Sequence, residues 1–355
     1  MVAIREVCMD AVWDVEIVVV EWIQSWGRWL EAPMEAVTLL GSQALLLVLV
    51  PLVFWSLHPA VGARLYLIAA GAALVADLLK IALHGARPSW FHLSVRPLAG
   101  ETTFGAPSAH AATSLVLWGY GALRLRRRGA WWAAAAIVAA VGLTRIYLGA
   151  HFVTDVLAGW LLGAAALWAA LRYEDALLAR WRRLGLPAQT GLALAASLAP
   201  LLAAAGWQAL FHADWTPPEE WTGSVPPGIG DASLEHTAGV AGGLFGGVLG
   251  LSALAVRGWY SAAGSAVSRA ARYVVGISGT VLILAVADVA VPGAAGSAGL
   301  LREYLVFAVL GAWSALGAPE LFLRMGLAGR PGGVGRAAGA GHADAPPDGP
   351  AADRE

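Results

Sequence analysis

The sequence predicts an all-α membrane protein, a polytopic bundle of about nine transmembrane helices. Of its 355 residues, 58% are hydrophobic and 13% are charged, and the mean hydropathy is +0.65. A soluble domain normally carries about 25% charged residues. Apolar runs of roughly 20 residues, the length that crosses a bilayer core, recur along the chain. The net charge is −1 and no broad basic stretch is present, so we expect no nucleic-acid partner.

Four regions are predicted along the chain. Residues 1–35 are Trp-rich and amphipathic, and we expect them to lie in the membrane interface. Residues 36–172 hold five spans and residues 173–328 hold four more. Residues 329–355 are rich in Gly, Ala, Pro and Asp and are predicted to be disordered, because they cannot bury enough apolar surface. The predicted spans are 36–57, 62–84, 107–123, 130–150, 152–171, 188–211, 234–256, 273–292 and 303–323.

Arginine placement predicts the orientation, because cytoplasmic loops are enriched in Lys and Arg. Arginines follow predicted spans three, five, seven and nine, so they share one side if the spans alternate. The acidic N-terminal region and the acidic loop 213–232 fall on the other side. We therefore expect a cell-membrane protein whose N-terminus is extracytoplasmic and whose C-terminus is cytoplasmic. The outer ends of spans two to five then converge.

Three short motifs occupy those outer ends. They are Lys80-Ile-Ala-Leu-His-Gly-Ala-Arg87-Pro88, then Pro107-Ser108-Ala109-His110, then Thr144-Arg145 followed by His151 and Asp155. Together they supply three cations, two imidazoles, a hydroxyl and a carboxylate. This combination of groups predicts a site that handles a phosphate group.

The cations of these motifs are costly inside an apolar span. Lys80 therefore predicts a functional site, although a lysine that snorkels to the interface is the alternative. Asp77 lies about one turn earlier, and we expect it to pair with Lys80. Arg87 and Arg145 offer planar forks to phosphate oxygens. The enrichment of cytoplasmic loops in arginine does not explain them, because both lie on the predicted outer side.

The second motif is typical of a helix start. Proline favours the first turn of a helix, so we expect Pro107 to open the third span. The free N–H groups near Ala109 favour an anion, and Ser108 adds a hydroxyl donor. His110 is placed to protonate a leaving oxygen. Taken alone, the tetrapeptide also fits an ordinary helix start.

The third motif places a histidine and a carboxylate on one helix face, since His151 and Asp155 are four residues apart. The carboxylate can orient the ring and leave the other ring nitrogen as a nucleophile. A zinc site is the alternative, and it would need a third ligand such as His110. The crowding of cations favours an anion, so we expect neither a metal nor a cofactor. The lone Cys8 excludes a multi-cysteine metal site and an intramolecular disulfide.

In these motifs the chain resembles the type-2 phosphatidic acid phosphatase superfamily. The pattern of that family is Lys-x6-Arg-Pro, then Pro-Ser-Gly-His, then Ser-Arg-x5-His-x3-Asp. Ala109 stands here for its glycine and Thr144 for its serine. Neither change removes a proton-transfer group, so we expect activity. The resemblance covers residues 36–172.

The resemblance also implies roles for the motif residues. His151 would form a phosphohistidine, Asp155 would orient it, and His110 would protonate the leaving group. No metal would be needed. The phosphoryl oxygens would be stabilised by Lys80, Arg87, Ser108, Arg145 and the backbone near Ala109, with possible support from Asp77 and Thr144.

A lipid phosphate monoester or diphosphate is the favoured substrate, because a site at the membrane surface suits a substrate whose tail stays in the bilayer. Polyprenyl, glycerolipid and sphingoid phosphates are the candidates. The alternatives are a sugar-phosphate phosphatase of the glucose-6-phosphatase type, a lipid phosphotransferase, and a non-catalytic membrane scaffold or transporter. A transporter should carry ionisable residues near its span centres, whereas here they cluster at the outer ends. The sequence indicates no oligomeric state.

Two glycine stripes run along predicted span seven, with a period of four residues. They are Gly239, Gly243 and Gly247, and Gly242, Gly246 and Gly250. Close helix packing is one interpretation. A groove that admits an acyl or prenyl chain is the other, and His236 would then stand near its mouth.

Overall fold

A computed structural model describes residues 2–293 and 295–330, with side chains from residue 11 onward. Residues 331–355, the greater part of the predicted disordered tail, lie outside the described residues. The described chain is built of α-helices joined by short turns and contains no β-strand. The predicted all-α class is therefore confirmed.

The helices follow one another along the chain with few long connections. They are α1 (Val2–Gln24), α2 (Glu31–Thr38), α3 (Gln43–Pro51), α4 (Pro59–Leu83), α5 (Pro88–Phe91), α6 (Ala109–Leu125), α7 (Arg128–Tyr147), α8 (Val153–Trp181), α9 (Leu186–Phe211), α10 (Ile229–Arg257), α11 (Ala266–Ala290), α12 (Gly296–Ala312) and α13 (Ala318–Arg324). A π-helical turn, Leu52–Leu57, follows α3, and a second, Trp313–Gly317, joins α12 to α13.

Within the described residues, seven helical stretches are long and apolar enough to cross a membrane. They are Pro59–Phe91, Arg128–Tyr147, Val153–Trp181, Leu186–Phe211, Ile229–Arg257, Ala266–Ala290 and Gly296–Arg324. The predicted first span falls within a pair of helical stretches, Arg28–Gly41 and Gln43–Leu57, that are bent by 50°. If this pair crosses the membrane as one span, it is the eighth candidate span. It breaks at Ser42, whose extended backbone and side-chain cap begin α3. The predicted third span is α6, which has 17 residues and is not among the seven, so the described residues hold seven or eight candidate spans rather than the predicted nine. The protein is an integral membrane protein.

The first half of the bundle brings the three motifs to one end, which we call the motif end. There α6 packs between α7 and α8 and also contacts α4. Gly159 on α8 permits the close approach to α6, because a Cβ at this position would lie 2.4 Å from the carbonyl oxygen of Ser108. The start of α6 and the start of α8 are thereby held side by side.

Helix α1 covers the motif end rather than standing apart from it. Trp13 is buried and stacks on Phe152 with ring centroids 5.3 Å apart. The Glu16 carboxylate accepts hydrogen bonds from the backbone N–H and the hydroxyl of Thr154, each at 3.0 Å. The opposite face of α1 exposes apolar side chains such as Trp22. That face suits a bilayer interface, and the interfacial position stays a prediction.

The second half of the chain packs onto the first through α10. This helix runs along α12 and α9 and also contacts α4. The loop that leads into α10 reaches the motif end, because the N–H groups of Thr222 and Gly223 donate to the carbonyls of Phe91 and Trp90 at 3.1 and 2.8 Å. The two halves therefore form one bundle around the site.

Candidate active site

The histidine of the third motif lies between two partners of opposite charge. His151 is buried in the turn between α7 and α8, with Nδ1 3.4 Å from Asp155 Oδ2 and Nε2 3.4 Å from Arg87 Nη1. A guanidinium has only donors and a carboxylate only acceptors. The contacts therefore place the proton on Nδ1 and the free lone pair on Nε2, the nitrogen that faces Arg87.

The Asp155 carboxylate is itself fixed by the start of α8. Its Oδ2 accepts a hydrogen bond from the Phe152 N–H at 3.0 Å, so the side chain satisfies a free donor in the first turn. The carboxylate is buried. The hydrogen bond to Phe152 holds the carboxylate beside His151.

Arg87 is held rigidly at the start of α5. Its guanidinium donates to the carbonyls of Thr103, Ala150 and Phe104 at 2.7, 2.9 and 3.1 Å. The side chain is 1% exposed. Because carbonyls of the surrounding loops consume several of its donors, the guanidinium presents a fixed positive edge to His151.

Lys80 lies in the last turn of α4 and is buried. Its Nζ donates to Thr103 Oγ1 at 2.9 Å. The predicted pairing of Asp77 with Lys80 is wrong, because Asp77 Oδ2 lies 3.0 Å from Nδ1 of His236 on α10. Helix spacing brought both residues to one face of α4, but a neighbouring helix supplied a nearer partner.

The second motif does not begin its helix at the proline. Helix α6 begins at Ala109, and Ser108 is its N-cap, with a side chain that accepts from the Ala111 N–H at 3.4 Å. Pro107 therefore precedes the helix, contrary to the prediction. Ala109 has no positive φ, so replacing the glycine of the family pattern causes no backbone strain. Ala109 and His110 line the same cavity as Lys80 and His151.

Arg145 completes the group of cations from the last turn of α7. Its Nη1 donates to Thr38 Oγ1 at 3.1 Å. Its Nε is buried without a hydrogen-bond partner among the described residues. The neighbouring Thr144 hydroxyl donates to the Val141 carbonyl at 2.7 Å, within its own helix. The Nε of Arg145 is thus a buried donor without a partner in the described part of the chain, whereas the Thr144 hydroxyl supports the end of the helix.

Glu101 is the site residue that the sequence reasoning missed. Its carboxylate contacts Arg87 Nη2 at 3.2 Å and also forms an ion pair with Arg145. Burial alone would raise the pKa of Glu101, but Arg87 and Arg145 hold it well below its usual range. An acid beside two threonines, in the long connection between α5 and α6, was the available signal. Glu101 occupies guanidinium edges that a phosphate would use.

The site opens into a cavity of about 580 Å³. Lys80, His110 and His151 line one end, and the rest is lined mainly by apolar residues of both halves of the chain, with polar side chains such as Gln43, His236 and Glu303 among them. Among the described residues, no group of three or more His, Cys, Asp or Glu side chains is arranged to hold a metal ion.

Comparison with known proteins identifies the family of the chain. Residues 61–178 match the PAP2 superfamily model, and residues 238–330 match the model described as the transmembrane extension of PAP2 superfamily phosphatases. Phosphatidylglycerophosphatase B of Bacillus subtilis is 30% identical over 148 residues, which are 38% of this chain and 70% of that protein. The chain belongs to the PAP2 superfamily, the family indicated by the three motifs.

Two further relatives and one solved structure are similar over part of the chain. The lipid A 1-phosphatases of Rhizobium johnstonii and Rhizobium etli are 37% and 36% identical over 29% of this chain. The chain spans 44% and 46% of their lengths. The crystal structure of a phosphatidylglycerolphosphate phosphatase from Bacillus subtilis is 25% identical, covers 46% of this chain and 87% of its own, and has a TM-score of 0.40.

Proposed function

We propose that this protein is a membrane phosphatase that hydrolyses the phosphate monoester or diphosphate of a lipid through a phosphohistidine. The observation that carries the proposal is the His151 imidazole, whose Nδ1 faces Asp155 and whose Nε2 faces Arg87 in a cavity shared with Lys80 and His110. This arrangement joins an oriented nucleophile, a proton donor and cations around one position. The site and the N-terminus lie on the extracytoplasmic side, as the arginine distribution favours.

The first step transfers the phosphoryl group to the enzyme. The lone pair of His151 Nε2 attacks phosphorus, and the bond between phosphorus and the lipid oxygen breaks. The protonated His110 gives its proton to that oxygen, which leaves as an alcohol. The Nδ1 proton of His151 stays directed at Asp155, which stabilises the charge that develops on the ring. Arg87, Arg145 and Lys80 stabilise the phosphoryl oxygens, a preorganised electrostatic effect.

The second step releases the phosphate. A water molecule attacks phosphorus, and His110, now neutral, accepts one proton of that water. The bond between Nε2 and phosphorus breaks, and its electron pair returns to His151. Inorganic phosphate leaves, and both histidines regain their starting protonation states. The cycle consumes one water and needs no metal.

The names of the relatives support a lipid substrate. Two are lipid A 1-phosphatases and one is a phosphatidylglycerophosphatase. The apolar walls of the cavity also suit a lipid better than a free sugar phosphate, since such walls would leave the hydroxyls of a sugar without hydrogen-bonding partners.

The test is phosphate release by purified protein in detergent with a chelator present. The substrates are polyprenyl, glycerolipid and sphingoid phosphates beside glucose 6-phosphate. His151→Ala should abolish release while the protein remains folded. The matched control is His58→Ala, because His58 is exposed at the other end of α4. Release from a lipid by the wild type and by the control, but not by His151→Ala, is the expected result.

Two outcomes would contradict the proposal. Near-normal release by His151→Ala would remove the histidine nucleophile. Release from glucose 6-phosphate alone would replace the lipid substrate with a sugar phosphate. A rapid-quench experiment with ³²P-labelled substrate adds a direct readout, because a phosphohistidine is stable to alkali and labile to acid. The label should be absent from His151→Ala.

A further inference from the structure

The cavity at the site continues into the second half of the chain. From the end at Lys80 and His151 it extends between α4 and α10 toward Phe54, Phe307 and Ala315. Its volume, about 580 Å³, falls within the roughly 300–1,000 Å³ typical of ligand sites. One wall comes from the segment that matches the transmembrane extension, so the catalytic motifs alone do not enclose it.

The two glycine stripes of α10 have different roles. A Cβ at Gly242 or Gly246 would lie 2.0 Å from the Tyr304 carbonyl oxygen or 1.8 Å from that of Ala308, so this stripe permits the close packing of α10 on α12. A Cβ at Gly243 would meet no atom nearer than 3.6 Å. Gly239 and Gly243 line the cavity. Gly242 and Gly246 thus fit the close-packing interpretation, and Gly239 and Gly243 lie where the groove interpretation requires, whereas a Cβ at Gly247 would lie 2.2 Å from the Tyr66 ring.

A polar layer separates the catalytic end of the cavity from its apolar end. His236 contacts Asp77 at 3.0 Å through Nδ1 and the Gln43 side chain at 3.1 Å through Nε2. All three residues line the cavity, and Asp77 lies one turn of α4 from Lys80. A ligand with its phosphate beside Lys80 meets hydrogen-bonding groups first and an apolar wall beyond them.

We infer that this cavity holds a hydrocarbon tail of the substrate lipid, and that the second half of the chain determines which tails fit. This inference rests on the proposed phosphatase function, because the phosphate of the lipid anchors the ligand at the catalytic end of the cavity. Gly239 and Gly243 keep the slot open where the tail passes between α4 and α10. The stripe of Gly242 and Gly246 fixes the position of that wall.

Chain-length selectivity tests the inference. Gly243→Leu places a branched side chain in the slot, and Gly71→Leu on α4 is the matched control, because a Cβ there meets no atom within 4 Å and Gly71 does not line the cavity. The substrates are dibutyryl and dioleoyl phosphatidic acid. We expect Gly243→Leu to lower kcat/KM at least tenfold for the long-chain substrate and to leave the short-chain value unchanged. Gly71→Leu should change neither value.

Equal effects of Gly243→Leu on the two substrates, or no effect on either, would overturn the inference. A second readout does not depend on turnover. Phosphatidic acid with a photoreactive diazirine near the end of its acyl chain is irradiated with the wild type and with His151→Ala, and the labelled peptides are identified. Label within 239–251 and 303–315 is expected, and label confined to the outer surface of the bundle would exclude a tail in the cavity. If the cavity peptides are labelled but the wild type releases no phosphate, only the proposed phosphatase function is contradicted. If the wild type releases phosphate but those peptides are not labelled, only the tail site is contradicted.

Discussion

The backbone N–H of Ser108 donates a hydrogen bond to the carbonyl oxygen of Asp155 at 2.9 Å. This bond joins the N-cap of α6 to the first turn of α8, so two motifs that are far apart in sequence meet through the main chain. Gly159, one turn further along α8, leaves no room for a side chain between the two helices. His110 on α6 and the turn that carries His151 before α8 are consequently held close to each other.

The role of His110 predicts a dependence on the leaving group. His110→Ala should lower turnover of an alkyl phosphate about 10²- to 10⁴-fold, the range typical of general acid catalysis. An aryl phosphate such as p-nitrophenyl phosphate should lose far less, because its leaving group departs without a proton. Steady-state rates on the two substrates measure the difference. Equal losses on both would show that His110 does not protonate the leaving oxygen.

The two contacts of Glu101 predict competition with anions. Glu101→Gln removes a negative charge from Arg87 and Arg145. Charge-assisted hydrogen bonds contribute about 1.5–3 kcal/mol, so inhibition by orthophosphate and by vanadate should strengthen roughly tenfold. Glu220→Gln, in the exposed loop before α10, is the control. Unchanged inhibition constants for Glu101→Gln would mean that the carboxylate does not share the phosphate position.

The surroundings of His151 predict an acid-tolerant nucleophile. Burial, reinforced by Arg87 and Arg145, lowers the pKa of His151 well below its ordinary value. A lowered pKa keeps the imidazole neutral, and therefore nucleophilic, as the pH falls. The acid limb of the kcat/KM profile of the free enzyme should thus lie below the ordinary histidine value of about 6.5. The profile is measured with a short-chain substrate. An acid limb at or above that value would contradict the assignment of His151 as the nucleophile.

The orientation predicts which loops face the cell exterior. Cys8 is the one cysteine of the chain, so Cys8→Ser gives a background for single-cysteine labelling. In intact cells a membrane-impermeant maleimide should label Glu219→Cys and leave Arg126→Cys unlabelled until the cells are opened, since both positions are exposed. A reporter fused after Glu355 should likewise be cytoplasmic. The reverse labelling pattern would place the site on the cytoplasmic side.

The sequence by itself determined the features that depend on local order. Apolar runs determined the helices, because a bilayer requires backbone hydrogen bonds to be satisfied within each span. The four-residue spacing of His151 and Asp155 predicted their contact, although His151 lies in the turn before α8 and only Asp155 stands in the first turn of that helix. The three motifs indicated the family, because each is defined by residue types at fixed spacing along the chain.

Only the tertiary structure decided the partners that come from distant segments. Asp77 and Lys80 share a face of α4, yet His236 from α10 and Thr103 from a loop are their partners. Glu101 reaches two arginines through the fold of a loop that carries no periodic pattern. Helix spacing constrains neighbours within one helix, whereas contacts between helices depend on how side chains of both surfaces fit together. Helix α10 shows this most directly, because the same four-residue period places Gly242 and Gly246 against α12 and Gly243 beside the cavity.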